Sequence, residues 1–335
     1  MKHALISVIA IVQMLVINRC NDSIRESPEP AEKNVVVDYR QEMRKFVTDL
    51  GAYARSYNPN FLIVPQNGQE LVTNTGEGDG TPQTTYLQAI DATGREDMFY
   101  GYYNKDDVRT PKEDEEYLLD LCLVCEQFDV EVLATDYCYT PSKMDDSYQL
   151  NEQYGFISFA ADERNLNQIP RYPAKPYHEN SDNITHISQA KNFLYLINSE
   201  HFTTKQDFIS AVSSTNYDVV IMDLFHFGVA YTNAEIEQLK TKQNGGSRLV
   251  LGYLSIGEAE DYRYYWNDEW KTNKPGWLEP ENPDWEGNYK VKYWYPDWQK
   301  IIFGNEESYL KQIVNAGFDG AYLDIVDGFE YFEEM

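Results

Sequence analysis

Basic side chains are scarce in this 335-residue sequence, with 28 Lys and Arg set against 55 Asp and Glu for a net charge of −27. A surface so acidic repels phosphate backbones and anionic lipid, which argues against nucleic acid as a partner. It fits a neutral or cationic ligand, or simply the solubility of an exported protein. Cysteine is rare too. Four occur, and setting Cys20 aside leaves Cys122, Cys125 and Cys138, an odd number that speaks against a disulfide framework. Cys122-Leu-Val-Cys125 has metal-knuckle or redox spacing, but it lies within the apolar run Tyr117–Phe128 with no second Cys pair or His pair, so these thiols read as buried packing. No glycine-rich phosphate loop follows any apolar run, which weakens a nucleotide-binding open sheet. Neither a Ser-x-His pattern nor a His cluster points to acyl transfer or zinc, and no cofactor is implied.

Long hydrophobic runs are likewise missing, apart from one. Lys2 and His3 precede Ala4 to Ile17, interrupted only by Ser7 and Gln13. That is the length of an export-signal core and too short to span a bilayer. Cys20 follows at once, ahead of a polar stretch. Residues 1–20 are therefore expected to be a signal peptide of lipoprotein type, with plain secretion as the alternative because Arg19 replaces the usual small residue. Residues 21–36 read as a polar tether and 37–335 as one domain. The expectation is an exported protein of the cell envelope, touching membrane only through a lipid on Cys20.

What the chain does have is alternation. Short apolar runs at Phe61–Val64, Leu87–Asp91, Val130–Thr135, Gly155–Ala161, Phe193–Ile197, Asp218–Met222, Arg248–Leu254 and Gly320–Val326 are separated by helical patterns. The segment 40–57 is one such pattern, with Met43, Phe46, Val47, Leu50 and Tyr53 at three- and four-residue steps. Eight strand-and-helix units predict an α/β fold with a parallel sheet closed as a (β/α)8 TIM barrel. A doubly wound open sheet is the competing fold. The proline-bearing stretch Ile169–Pro176 interrupts the alternation.

In such a fold the functional groups stand where strands end. Acids or amides occupy most of those positions: Asn67 and Glu70, Glu96 and Asp97, Asp136, Asp223, Glu258 and Glu260, and Asp324 with Asp327. Taken singly, each could be a helix N-cap. Together they describe an acidic cup, the setting in which crowded carboxylates push one another's pKa apart and divide acid from base. A divalent cation is the other possible occupant. Aromatic residues make up 14% of the chain, and Trp266, Trp277, Trp285 and Trp294 fall in one long segment, 261–298. Their indole faces could stack on sugar rings or pack the loop.

Several blocks resemble the bacterial and archaeal branch of glycoside hydrolase family 114, whose named activity is endo-alpha-1,4-polygalactosaminidase. They are Gly252-Tyr-Leu-Ser-Ile-Gly-Glu-Ala-Glu-Asp-Tyr-Arg263, Trp285–Tyr289 with Tyr293-Trp294, Gly317–Asp327, Val64–Leu71, Gly94–Asp97 and Asp136-Tyr137. The resemblance implies a glycosidase acting on polysaccharide. By its pattern Asp324 matches the nucleophile and Glu96 the acid/base of a retaining carboxylate pair. Asn67, Asp136, Tyr137, Asp223, Tyr253, Glu258, Asp327 and Trp294 are expected to contact the sugar. The two halves of the family pattern occur in exchanged order, which implies a circularly permuted barrel with 169–176 joining the ancestral ends. A non-catalytic glycan-binding lipoprotein on the same scaffold is the alternative.

Overall fold

The computed structural model describes residues 37–335; the expected signal peptide, Cys20 and the tether at 1–36 lie outside the described residues. Helix α1 (Tyr39–Arg55) opens on Asp38, whose carboxylate accepts from the Gln41 amide at 2.9 Å, and it buries Met43, Phe46, Val47 and Leu50. Parallel strands follow: β1 (Leu62–Pro65), β2 (Ala92–Glu96), β3 (Glu131–Tyr137), β4 (Ile157–Ala161), β5 (Phe193–Tyr195), β6 (Val219–Asp223), β7 (Leu249–Ser255) and β8 (Gly320–Asp324). Between them run α2 (Lys112–Glu126), α3 (Pro141–Tyr154), α4 (Lys205–Ser213), α5 (Asn233–Leu239) and α6 (Tyr309–Ala316).

The strands are buried nearly throughout, as apolar runs covered by helices should be. Each fully buried Leu, Ile or Phe adds roughly 1.5–3 kcal/mol. Five strands hydrogen-bond in the order β1-β8-β7-β6-β5, and three more in the order β2-β3-β4. A parallel bridge between Gln66 and Gly94 and the Asn67 amide on the Gly94 carbonyl (2.8 Å) join the two sets between β1 and β2. At the far edges Phe159 of β4 meets Phe193 of β5, ring centres 5.6 Å apart. The fold is thus mixed α/β on a parallel sheet.

The connection from β4 to β5 carries no α-helix, only a 3-10 turn at Ile187–Gln189. It is held down by a buried ion pair: the Lys242 ammonium bonds Asp218 at 2.8 Å, both side chains fully buried, and Asn180 donates to the other Asp218 oxygen at 2.8 Å. Elsewhere the C-terminal helix Phe329–Glu333 packs on the start of α1 through the Arg40–Glu333 pair (2.9 Å) and the Tyr39 and Phe332 rings. Cys122, Cys125 and Cys138 are free and buried, as the apolar context of the first two implied.

Two sequence expectations are corrected. Leu87–Asp91 is not the second strand; residues 84–87 form a short helix and the strand is Ala92–Glu96. Nor is 261–298 only a loop. Glu258–Glu260, Asn288–Val291 and Leu278–Glu281 form a small antiparallel sheet, and Pro296–Ile302 is a helix begun by proline at its first turn. Among the described residues no helix is long and apolar enough to cross a membrane.

Candidate active site

At the C-terminal ends of β1, β2 and β8 the backbone turns sharply through left-handed residues: Asn67 (φ 58°), Asp97 (φ 54°) and Ile325 (φ 57°). Asn and Asp tolerate that conformation; a β-branched isoleucine does so only at a cost of about 1–3 kcal/mol, the kind of strain that gathers at functional sites. The Ile325 amide is thereby turned back onto Asp324, donating to its Oδ1 at 2.8 Å, while the Tyr253 hydroxyl donates to Oδ2 at 2.6 Å. Glu96 is held as firmly. Its Oε2 accepts from the Asn67 side-chain amide at 3.0 Å, its backbone amide donates to the Asn67 Oδ1 at 3.1 Å, and the Tyr137 hydroxyl donates to Oε1. Since β1 pairs with β8 and its end bridges to β2, Asn67 stands just past the end of the strand between the two carboxylates.

These groups open on a cavity of about 540 Å³. Of the expected residues, Asn67, Glu96, Tyr137, Asp223, Tyr253, Glu258, Asp324 and Asp327 line it. Two do not. Asp136 is fully buried beneath it, accepting from the Phe99 and Tyr100 amides (2.7 and 3.0 Å), Ser147 (2.6 Å) and Asn151 (3.2 Å), so no acceptor is left for a ligand. Trp294 is packed against Tyr39 and Phe332, with ring centres 5.1 and 4.7 Å away, on the side where α1 meets the C-terminal helix. Most of the tryptophans pack likewise: Trp266, Trp270, Trp277 and Trp298 touch in series at 5.2, 5.0 and 5.1 Å. Trp285, 49% exposed, is the one that lines the cavity.

Charge is unevenly compensated across the site. Asp223 is claimed by the buried guanidinium of Arg263 (2.6 Å), which also holds Glu260 at 2.5 Å. Arg164 pairs with Asp97 at 3.1 Å and lies over the Tyr137 ring at 3.8 Å. Glu258 is fully buried; one oxygen accepts from Asn282 (2.8 Å) and Lys290 (3.1 Å), and the other has no partner. Burial and the neighbouring Glu96 push the Asp324 carboxyl up to about 8, against the pull of the Tyr253 hydroxyl. Burial and Glu330 push Asp327 up to about 7, and burial raises Asp97 to about 7 despite Arg164. The upward push on Asp324 favours its protonated form near neutral pH, the kind of tuning that general acid–base work uses. Among the described residues no three His, Cys, Asp or Glu converge as a metal-ligand set.

Reading strand ends for acids passed over the arginines. Arg263 closes the block Gly252–Arg263, and a cation there was the available signal that Asp223 and Glu260 are ion-paired. Arg164 sits in the irregular β4–β5 connection, where no periodicity marks it.

Comparison with known proteins finds similarity over part of this chain. An uncharacterized protein of Methanocaldococcus jannaschii is 43% identical over 158 residues, 46% of this chain and 43% of that protein. Uncharacterized proteins of Thermotoga maritima and Deinococcus radiodurans are 41% and 37% identical over 123 residues each, covering 36% and 37% of their own lengths. The chain thus spans less than half the length of the curated relatives it matches. The model of glycoside-hydrolase family GH114 matches residues 178–335, and in this part the chain is similar to that family.

Proposed function

We propose that the protein is a glycoside hydrolase that cleaves a polysaccharide between Asp324 and Glu96, on a circularly permuted (β/α)8 barrel. The observation that carries this reading is the pair itself. Two carboxylates from distant parts of the chain share one cavity, each oriented by a tyrosine hydroxyl, with Asn67, just past the end of the intervening strand, bonded to Glu96. Glycosidases need two such groups flanking the bond, one protonated and one ionised.

In the retaining mechanism Asp324 attacks the anomeric carbon while Glu96 protonates the departing oxygen; Glu96 then draws a proton from water as the glycosyl-Asp324 ester is hydrolysed. The upward push on Asp324 favours a second division of labour, with Asp324 as the acid and Glu96 in the opposite role. Carboxylates outnumber the cations in the lining, with Glu96, Asp97, Asp223, Glu258, Glu260, Glu286, Asp324 and Asp327 against Arg95, Arg164 and Arg263, which suits an amino sugar of the galactosamine type. Support for the permutation is that the family match is confined to 178–335 and that Arg40 meets Glu333. Export and lipidation at Cys20 belong to the same proposal, and Cys20→Ala should abolish incorporation of labelled fatty acid.

The deciding experiment is a panel of polysaccharides, including de-acetylated amino-sugar polymers, digested by the wild type and by Asp324→Asn. Hydrolysis of one of them by the wild type, lost in a folded Asp324→Asn, is expected; equal activity in the variant would reject the assignment.

A further inference from the structure

A second cavity, about 610 Å³, opens beside the first and shares with it Ile197, Asn198, Asp223, Tyr262 and Arg263. The two are neighbours across those residues, and each falls in the range, roughly 300–1,000 Å³, that holds a small ligand by itself. Their linings differ. Where the first is crowded with carboxylates, the second is walled by Phe225, Phe227, Tyr262 and Tyr264, with Asn198, Ser199 and Glu200 along its polar edge. Three of these rings face solvent: Phe227 is 67% exposed, Tyr262 60% and Tyr264 46%.

Phe227 is presented there against its own backbone preference. It is the first central residue of a two-residue turn between the paired His226 and Val229, with φ 47°, followed by Gly228 at φ 77°. Positive φ at both central positions is the pattern of a type I′ turn, in which asparagine–glycine is favoured and a bulky aromatic is not. Local structure therefore does not ask for phenylalanine, and neither does packing, because the ring meets only its neighbour His226 among the described aromatic pairs. Exposed aromatic faces beside polar edges suit a sugar ring, which offers a C–H face and a rim of hydroxyls.

We propose that this second cavity is a sugar subsite, in which Phe227 is the platform for units of the polysaccharide lying beyond the bond being cut. The inference rests on the glycosidase reading and extends it: the protein grips a chain, and its affinity grows with chain length past what the acidic cavity alone can hold. Asp223 and Arg263, ion-paired at 2.6 Å, stand on the wall that the two cavities share.

Oligosaccharides of two to eight units, in neutral, N-acetylated and de-acetylated amino-sugar series, provide the probes. They are titrated into the non-hydrolysing Asp324→Asn protein, with and without Phe227→Asn. The second substitution removes the ring while installing the favoured turn pair, so its melting temperature should not fall. For the series that binds, the Phe227→Asn protein should lose the gain with length, binding the longest members about three- to tenfold more weakly and the shortest unchanged. Equal affinity for long members with and without Phe227 would overturn the subsite while leaving the glycosidase reading standing. If no series binds the Asp324→Asn protein or is cut by the wild type, the glycosidase reading fails and the subsite falls with it.

Discussion

Tyr322 fills the space in front of Gly94: a methyl group built on that glycine would lie 2.0 Å from the tyrosine hydroxyl oxygen. The contact crosses the interior between β8 and β2, and each partner sits two residues before a proposed catalytic carboxylate. Side chains two apart on a strand point the same way, so the Tyr322–Gly94 contact sets the layer directly beneath Asp324 and Glu96. Gly94→Ala must push the ring aside or part the strands. Overpacking of this kind costs about 1–3 kcal/mol, and a shift of even 1 Å at the carboxylates is expected to cost on the order of 100-fold in rate. Thermal unfolding and kcat measured together test it; an alanine variant with unchanged kcat would show that the layer does not govern the spacing.

Roles within the pair can be separated chemically. Asp324→Ala and Glu96→Ala are each expected to lose at least about 10³-fold in activity while remaining folded. Azide should then rescue each in a different way. If Asp324 is the nucleophile, azide takes its place in Asp324→Ala and yields a glycosyl azide of inverted configuration from an activated substrate. In Glu96→Ala, azide would attack the glycosyl-enzyme in place of water and give the retained configuration. The opposite pattern would assign the nucleophile to Glu96, the division favoured by the proton on Asp324.

Much of the parallel sheet was legible because its strands are apolar on both faces. Val219–Asp223 and Leu249–Ser255 lie within a residue of the expected runs. The second strand was not, and Gly94 explains why. A strand reading Ala-Thr-Gly-Arg-Glu lacks the branched apolar residues that mark its neighbours, since its interior position must stay empty for Tyr322 and its end carries the site. Acids at strand ends pointed to the right rim, yet periodicity has no means of telling Asp327, open to the cavity, from Asp136, saturated by four donors below it. That difference lies in Ser147 and Asn151, which α3 brings in from further along the chain.

Stability should fall as pH rises. Asp324, Asp327, Asp97 and Glu126 are all raised in the fold, to about 8 for the first and about 7 for the others, from 3.8 for the aspartates and 4.5 for the glutamate. Between those limits the folded chain binds more protons than the unfolded one. The contribution is therefore complete below about pH 4 and is lost as pH climbs through 7 and 8. Groups lowered in the fold, such as Asp107 and Glu235, act below their ordinary values and leave this window untouched. Melting temperature is expected to drop between pH 5 and 9. Asp327→Asn should recover roughly 2–4 °C at pH 8 or above with little change at pH 5. A flat profile would mean that these carboxyls titrate normally.

The same groups predict the upper limb of the activity profile. If Asp324 and Glu96 are the catalytic pair, turnover requires one proton between them, so kcat/KM should decline above about pH 8 as Asp324 loses it. Glu96→Gln, assayed on a substrate whose leaving group needs no protonation, should move that limb. A limb that stays in place would trace it to some other group.

The proposed circular permutation predicts that the chain can be rewired. The Arg40–Glu333 bond brings the two ends of the described fold together at 2.9 Å, and residues around 171–175 run largely exposed across the β4–β5 connection. A chain beginning at Ala174, continuing to Glu333, passing through a flexible linker of roughly five residues to Asp38 and ending at Pro173 would keep every strand pairing. Its β5-to-β4 order would follow the family pattern. The anchor of Lys242 on Asp218 and Asn180 stays on one side of the new opening, so the buried ion pair is preserved. Such a chain should fold with the same far-UV spectrum, melt within a few degrees of the original and keep its kcat. Failure to fold, in a chain whose contacts are all retained, would mean that α1 is not the helix belonging between β8 and β1, and the permuted barrel would have to be abandoned.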